Sequence, residues 1–166
     1  QFGEIFPGLT LRFTLEPLGM LFALVASGLW IVTSIYSIGY MRGNSERNQT
    51  RFFFFFAIAL TSTAGIAFAG NMLTLFIFYE VLTICTYPLV THHGDDEARR
   101  SGRIYMGILL GPSIGFLLLA IIWTWHLTGT LDFKQGGILD GKVEGALVGV
   151  LLFLYMYGVG KAALMP

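Results

Sequence analysis

Glu80 and Lys161 are the two charged side chains that lie inside membrane-length apolar stretches of this sequence. Glu80 sits in the middle of Asn71 to Val90, and Lys161 lies in Ala146 to Pro166, each the only charge of its stretch. A carboxylate or an ammonium at mid-bilayer costs roughly 2.5–3.5 kcal/mol on insertion scales, so it persists only with a partner, with water or for a function. An acid and a base on two different spans can hand a proton across or hold a cation.

The surroundings of Glu80 extend that chemistry. Residues three, four and seven apart share a helix face, which places Thr83, Ile84 and Tyr87 beside it. A carboxylate, a hydroxyl and a phenol in one stripe can orient water or relay a proton. The plainer alternative is that Glu80 hydrogen-bonds a neighbouring helix while the hydroxyls satisfy nearby backbone carbonyls. The functional reading is placed first, because an intramembrane acid is a functional candidate by default.

Lys161 follows Gly158-Val159-Gly160 and precedes Pro166 by five residues. Glycine and proline this close predict a helix that bends or breaks just past the lysine, with Pro166 as the breaking residue. Such breaks line ion paths, because the freed carbonyls need a polar cavity. The alternative is a lysine snorkelling to the interface from near the end of a span.

Other polar clusters carry less. Asp95, Asp96 and Glu97 beside Arg99, Arg100 and Arg103 read as a solvated juxtamembrane loop. His92 and His93 lack the companions of a metal site, although histidines at a membrane surface can collect protons. Glu16 reads as interfacial. Cys85, the single cysteine, excludes an intrachain disulfide and reads as a small hydrophobe. No phosphate-binding glycine loop, nucleophile elbow, cysteine cluster or paired haem histidine is present. The sequence therefore predicts no cofactor and no metal, and no electron transfer within this chain.

The elements that must position these residues follow from hydropathy. Of the 166 residues 55% are hydrophobic and 12% charged, and the mean hydropathy is +0.71. An average soluble domain is about 25% charged, so the composition indicates an all-α, polytopic transmembrane helix bundle. Ten basic and ten acidic side chains balance to zero net charge, and no basic patch points to nucleic acid.

A spanning helix needs about 20 apolar residues, and five stretches qualify: Leu18 to Tyr40, Phe52 to Ala69, Asn71 to Val90, Ile104 to Trp125 and Ala146 to Pro166. The second and third form a tight hairpin around Gly70 and Asn71. Residues 1–166 read as one partial transmembrane domain. The chain begins at Gln1 and stops within an apolar run, which is read as an internal piece of a longer protein.

Orientation follows from the basic residues of the loops. Arg42, Arg47, Arg51, Arg99, Arg100 and Arg103 fall on one side, against Arg12, Lys134 and Lys142 on the other. The six-charge side is expected to face the cytoplasm. Gly107, Gly111 and Gly115 recur every four residues and predict a face for close helix approach. Pro112 predicts a kink, and Trp123 and Trp125 an interfacial belt.

Three passages carry a resemblance: LWIVTSIYSIGYM (Leu29 to Met41), AGNMLTLFIFYEVLTICTYPLV (Ala69 to Val90) and GVGKAALMP (Gly158 to Pro166). They resemble the proton-conducting antiporter-like subunits shared by respiratory complex I, membrane-bound hydrogenases and the Mrp sodium/proton antiporters. The FYE and TYPLV wording looks most like the D-type component of the Mrp antiporters. The likeness runs from about Glu16 onward. It implies the first half of an inverted repeat, truncated before its final helix, with Glu80 and Lys161 as the family's translocating acid and lysine.

The resemblance also implies a proton/monovalent-cation translocating subunit, working by sodium(cation)/proton antiport, in a multi-pass bacterial plasma membrane complex with other membrane subunits. The alternatives are a proton-pumping membrane subunit of an NADH:quinone oxidoreductase or hydrogenase, and a non-conducting structural subunit.

Overall fold

The computed structural model describes residues 2–6 and 9–160, with side chains from residue 10 onward. Two short antiparallel strands, β1 (Phe2–Phe6) and β2 (Leu9–Leu11), precede the helices. This hairpin is an addition to the all-α expectation. The rest is helical: α1 (Pro17–Gly43), α2 (Gln49–Ala67), α3 (Met72–Val90), α4 (Asp96–Pro112), a π-helical turn (Ser113–Leu118), α5 (Leu119–Thr128) and α6 (Gly145–Val159).

Four helices are long and apolar enough to cross a membrane: α1, α2, α3 and the continuous run Asp96–Thr128. With a fifth, shorter apolar helix they make a polytopic membrane bundle. At about 1.5 Å per residue, the 15 residues of α6 rise about 22 Å, short of the roughly 30 Å hydrocarbon core.

α3 is the central element. On one side it packs against α2, where Gly65 lets the backbone of α2 approach the ring of Phe78 with no room for a Cβ atom. On the other side Met72, Leu73, Phe76 and Tyr79, spaced at three and four residues, pack on a core of Leu117, Ile121 and Leu131. α6 crosses the π turn, and Gly158 sits against the backbone of Leu117 where any side chain would collide. α1 touches chiefly α2. Its remaining surface carries exposed Leu18, Leu21, Leu24, Leu29, Ile31 and Ile35, as suits a lipid-facing helix whose backbone bonds are all internal.

Two sequence expectations are corrected. The charged passage after Gly94 is helix rather than loop: Asp95 accepts a hydrogen bond from the Ala98 N–H at 2.7 Å. That cap, with Asp96 and Glu97 in the first turn, favours the positive end of the helix dipole. The helix thus begins eight residues before Ile104.

The Gly107, Gly111 and Gly115 stripe packs against nothing within 4 Å among the described residues; close approaches are made instead at Gly65, Gly102 and Gly158. The described part of α6 runs to Val159, and the break expected just past Lys161 falls beyond it. Glycines at 158 and 160 weaken a helix end by about 1 kcal/mol each relative to alanine. Lys161 and Pro166 themselves lie outside the described residues.

Pro112 does interrupt the long helix. It cannot donate a backbone hydrogen bond, and the six-residue π turn follows immediately. Ser113, fully buried, donates its hydroxyl to the carbonyls of Leu109 and Leu110 at 3.2 and 3.1 Å, which satisfies acceptors in the disturbed turn.

Candidate functional site

The start of α3 is set by Asn71, which is 4% exposed. Its side-chain oxygen accepts from the Thr74 N–H at 2.8 Å, and its Nδ2 donates to the Thr10 carbonyl at 2.7 Å. The same knot gathers three distant segments. The Arg12 N–H donates to Thr74 Oγ1 at 3.0 Å, and the Gly70 N–H to the Arg12 carbonyl at 2.7 Å. The Met72 N–H donates to the Leu131 carbonyl at 3.0 Å, and the Arg12 guanidinium pairs with Asp132 at 2.5 Å. α3 therefore leaves this end of the bundle in a defined register.

From that anchor, Glu80 falls eight residues into α3, about 12 Å along the axis from Met72 and 15 Å from Val90. It is half-buried, and its Oε2 is shielded from solvent. Thr83 is buried and donates its hydroxyl to the Tyr79 carbonyl at 2.9 Å, so it satisfies a backbone carbonyl of its own helix. A hydroxyl so bonded still offers its lone pairs to a proton or water. Tyr87 lies near the other end of α3, its ring against Gly102 of α4 and lining a groove with Phe55, Ile84 and Arg103. The three side chains share one helix and step about 4.5 and 10.5 Å from Glu80 along it.

Two residues that sequence reasoning passed over complete the region. The Tyr79 hydroxyl donates to the Val159 carbonyl at 2.5 Å. Val159 is the last residue of α6, where carbonyls lose their helical partners. Tyr155 of α6 bonds Thr124 at 2.8 Å and also reaches the Ala120 carbonyl at 3.3 Å and Met72 Sδ at 3.0 Å. Phenols facing the interior of an apolar bundle need a partner, and that need was the available sequence signal; the identity of the partners was not. Glu80 and the α6 terminus are thus tied through adjacent residues, whereas the position of Lys161 lies outside the described residues.

The two groups of basic residues lie at opposite ends. Arg12 is bound at the Gly70–Asn71 turn with Asp132, and Lys142 donates to the Thr128 carbonyl at 3.0 Å there. At the other end Arg51 donates to the His92 carbonyl at 2.9 Å, joining the α1–α2 and α3–α4 connections. Among the described residues no three His, Cys, Asp or Glu side chains gather to hold a metal ion.

Comparison with known proteins agrees with this architecture. Residues 69–166 match the family model described as the NADH:quinone oxidoreductase/Mrp antiporter transmembrane region. Residues 7–53 match the N-terminus of NADH-ubiquinone oxidoreductase (complex I) chain 5.

The chain is 25% identical to an NAD(P)H-quinone oxidoreductase subunit 5 of Paulinella chromatophora, over 95% of this chain and 24% of the relative. It is 27% identical to hydrogenase-4 component B of Escherichia coli, over 97% and 23% respectively. It is 29% identical to a D-type Na(+)/H(+) antiporter subunit of Alkalihalophilus pseudofirmus, over 74% and 25%. The chain spans about a quarter of the length of these relatives. With more than half of its length under one family model, and with the spans, the Asn71 start and the mid-helix Glu80 in place, this chain belongs to the NADH:quinone oxidoreductase/Mrp antiporter transmembrane family.

Proposed function

We propose that this chain is the first-half core of a subunit that translocates protons and monovalent cations within a multisubunit membrane complex, with Glu80 as the acid and Lys161 as its base. The observation that carries this reading is the link between α3 and α6. Glu80 is shielded at mid-helix, and the hydroxyl of its neighbour Tyr79 holds the carbonyl of Val159, two residues before Lys161. Thr83 and Tyr87 extend the polar stripe towards the arginine-rich end, with water needed between them. Pro166 serves as the break that keeps the lysine's helix discontinuous.

Cation/proton antiport is the leading form, supported by the relative named an Na(+)/H(+) antiporter subunit. The relatives named quinone oxidoreductase and hydrogenase components support a second form, the same unit driven by redox chemistry in partner subunits. In either form the partners are other membrane subunits, and the arginine-rich end faces the cytoplasm of a bacterium across its plasma membrane.

The test is cation-dependent proton flux in inverted vesicles carrying the full-length protein in its complex, wild type against Glu80→Gln at matched assembly. Flux falling by about 100-fold, as expected when a proton-transferring group is removed, supports the reading. Unchanged flux assigns Glu80 to helix packing and favours a structural subunit. Flux that requires a quinone or hydrogenase substrate, rather than a cation gradient, selects the redox-driven form.

A further inference from the structure

A cleft of about 430 Å³ opens at the arginine-rich end, lined by the 44–48 turn, Arg51 at the start of α2, His92–Gly94 after α3, and Arg99 of α4. Three arginines line it, Arg47, Arg51 and Arg99, against one acidic residue, Glu46. Among the described residues none of the three has a carboxylate within 4.0 Å. Asp95, Asp96 and Glu97, close in sequence, do not line the cleft, and Asp95 is occupied in capping α4. Like charges gathered without counter-charges repel, so their convergence calls for an anion.

Other features of the cleft point the same way. His92 has only 12% of its side chain exposed, and neither of its ring nitrogens has a hydrogen-bond partner. The nearest carboxylate oxygen, of Glu46, is 3.9 Å from Nε2, beyond hydrogen-bond range. Arg51 is held in place by its bond to the His92 carbonyl, which fixes its remaining N–H donors. Asn48, the cap residue of α2, makes no side-chain cap bond, so the first N–H groups of α2 add their partial positive charge. Ser45 and Asn48 both adopt the left-handed backbone region, at φ 52° and 57°. This conformation is uncommon for residues other than glycine and presents Arg47 between them.

We propose that this cleft binds a phosphate group carried by an anionic phospholipid headgroup or by a soluble phosphate. Planar guanidinium groups match phosphate oxygens with paired hydrogen bonds. Basic recesses between spanning helices at the membrane surface suit lipid headgroups, and α1 and α2 carry exposed apolar side chains such as Ile35, Ile38 and Phe54 for acyl chains to contact. The proposal is independent of the translocation reading, since none of these residues belongs to the Glu80 region.

The experiment uses the full-length protein in its complex, wild type, Arg47→Gln/Arg99→Gln, and Arg42→Gln as a control whose arginine does not line the cleft. Phosphatidylglycerol retained after exchange into phosphatidylcholine nanodiscs is counted by native mass spectrometry, and inorganic phosphate binding is followed by phosphorus NMR line broadening. Retention about 30-fold weaker in the double variant, roughly fivefold for each arginine removed, and unchanged in the control identifies the lipid. Phosphate broadening lost only in the double variant, with lipid retention equal in all three proteins, identifies the soluble source. Equal behaviour of wild type and double variant in both measurements, or an equal loss in the control, overturns the proposal. Arg47→Gln alone, in a loop, gives the same reading should the double variant assemble poorly.

Discussion

The two ends of this bundle handle their polar groups in opposite ways. At the Asn71 end, donors and acceptors from residues 10–14, 68–74 and 128–133 are matched with one another, down to the Arg12–Asp132 pair. At the other end, three arginines converge with one carboxylate among them and a histidine keeps two unpartnered ring nitrogens. A polar group satisfied internally stabilises the fold, whereas one left unmatched near the surface costs stability and is available to a ligand. The first end sets the register of α3, and hence the depth of Glu80. The second is open for recognition.

That contrast has consequences ordered by size. Asn71→Ala removes the cap of α3 and strands the Thr10 carbonyl. A cap contributes about 1 kcal/mol and a stranded buried acceptor about 1–3 kcal/mol. The expected loss is therefore about 2–4 kcal/mol, read as a lower thermal midpoint and reduced assembly of the full-length protein. An unchanged midpoint would break the claim that this end anchors α3.

Arg12→Gln acts at the same knot with a smaller effect. The side chains of the pair are 43% and 33% exposed, so screening limits its contribution to about 0–1 kcal/mol. The wild type should converge on the variant as salt is raised, because screening removes a surface pair. A loss insensitive to salt would assign the effect to the packing of Arg12 on Gly70 instead.

Arg47→Gln/Arg99→Gln should change stability least, within about 0.5 kcal/mol of wild type, and relief of repulsion makes a small gain the expected sign. A thermal midpoint as low as that of Asn71→Ala would erase the distinction between the two ends.

Much of the helical order was legible from local signals. The four long helices follow the apolar runs, the α2–α3 hairpin turns at Gly70 and Asn71, and Glu80 stands at mid-helix, because hydropathy and span length are properties of contiguous residues. The early start of α4 was also local: Asp95 with Asp96 and Glu97 is a helix-start pattern, masked by reading a charged passage as loop. The glycine stripe at 107, 111 and 115 misled because small residues permit close approach without specifying a neighbour. Gly65 and Gly158, without any repeat, are where backbones meet side chains and backbone.

Composition and order along the chain thus determined that this protein is a membrane bundle, which residues lie at mid-span, and which basic residues share an end. Tertiary structure alone decided that Arg12 reaches Asp132 across 120 residues, that Tyr79 holds Val159 across 80, and that Arg47, Arg51 and Arg99 converge on one cleft. Helix formation is governed by neighbours within one or two turns. These contacts depend on how whole helices cross and on which distant donor satisfies which orphaned acceptor, and no local periodicity encodes that.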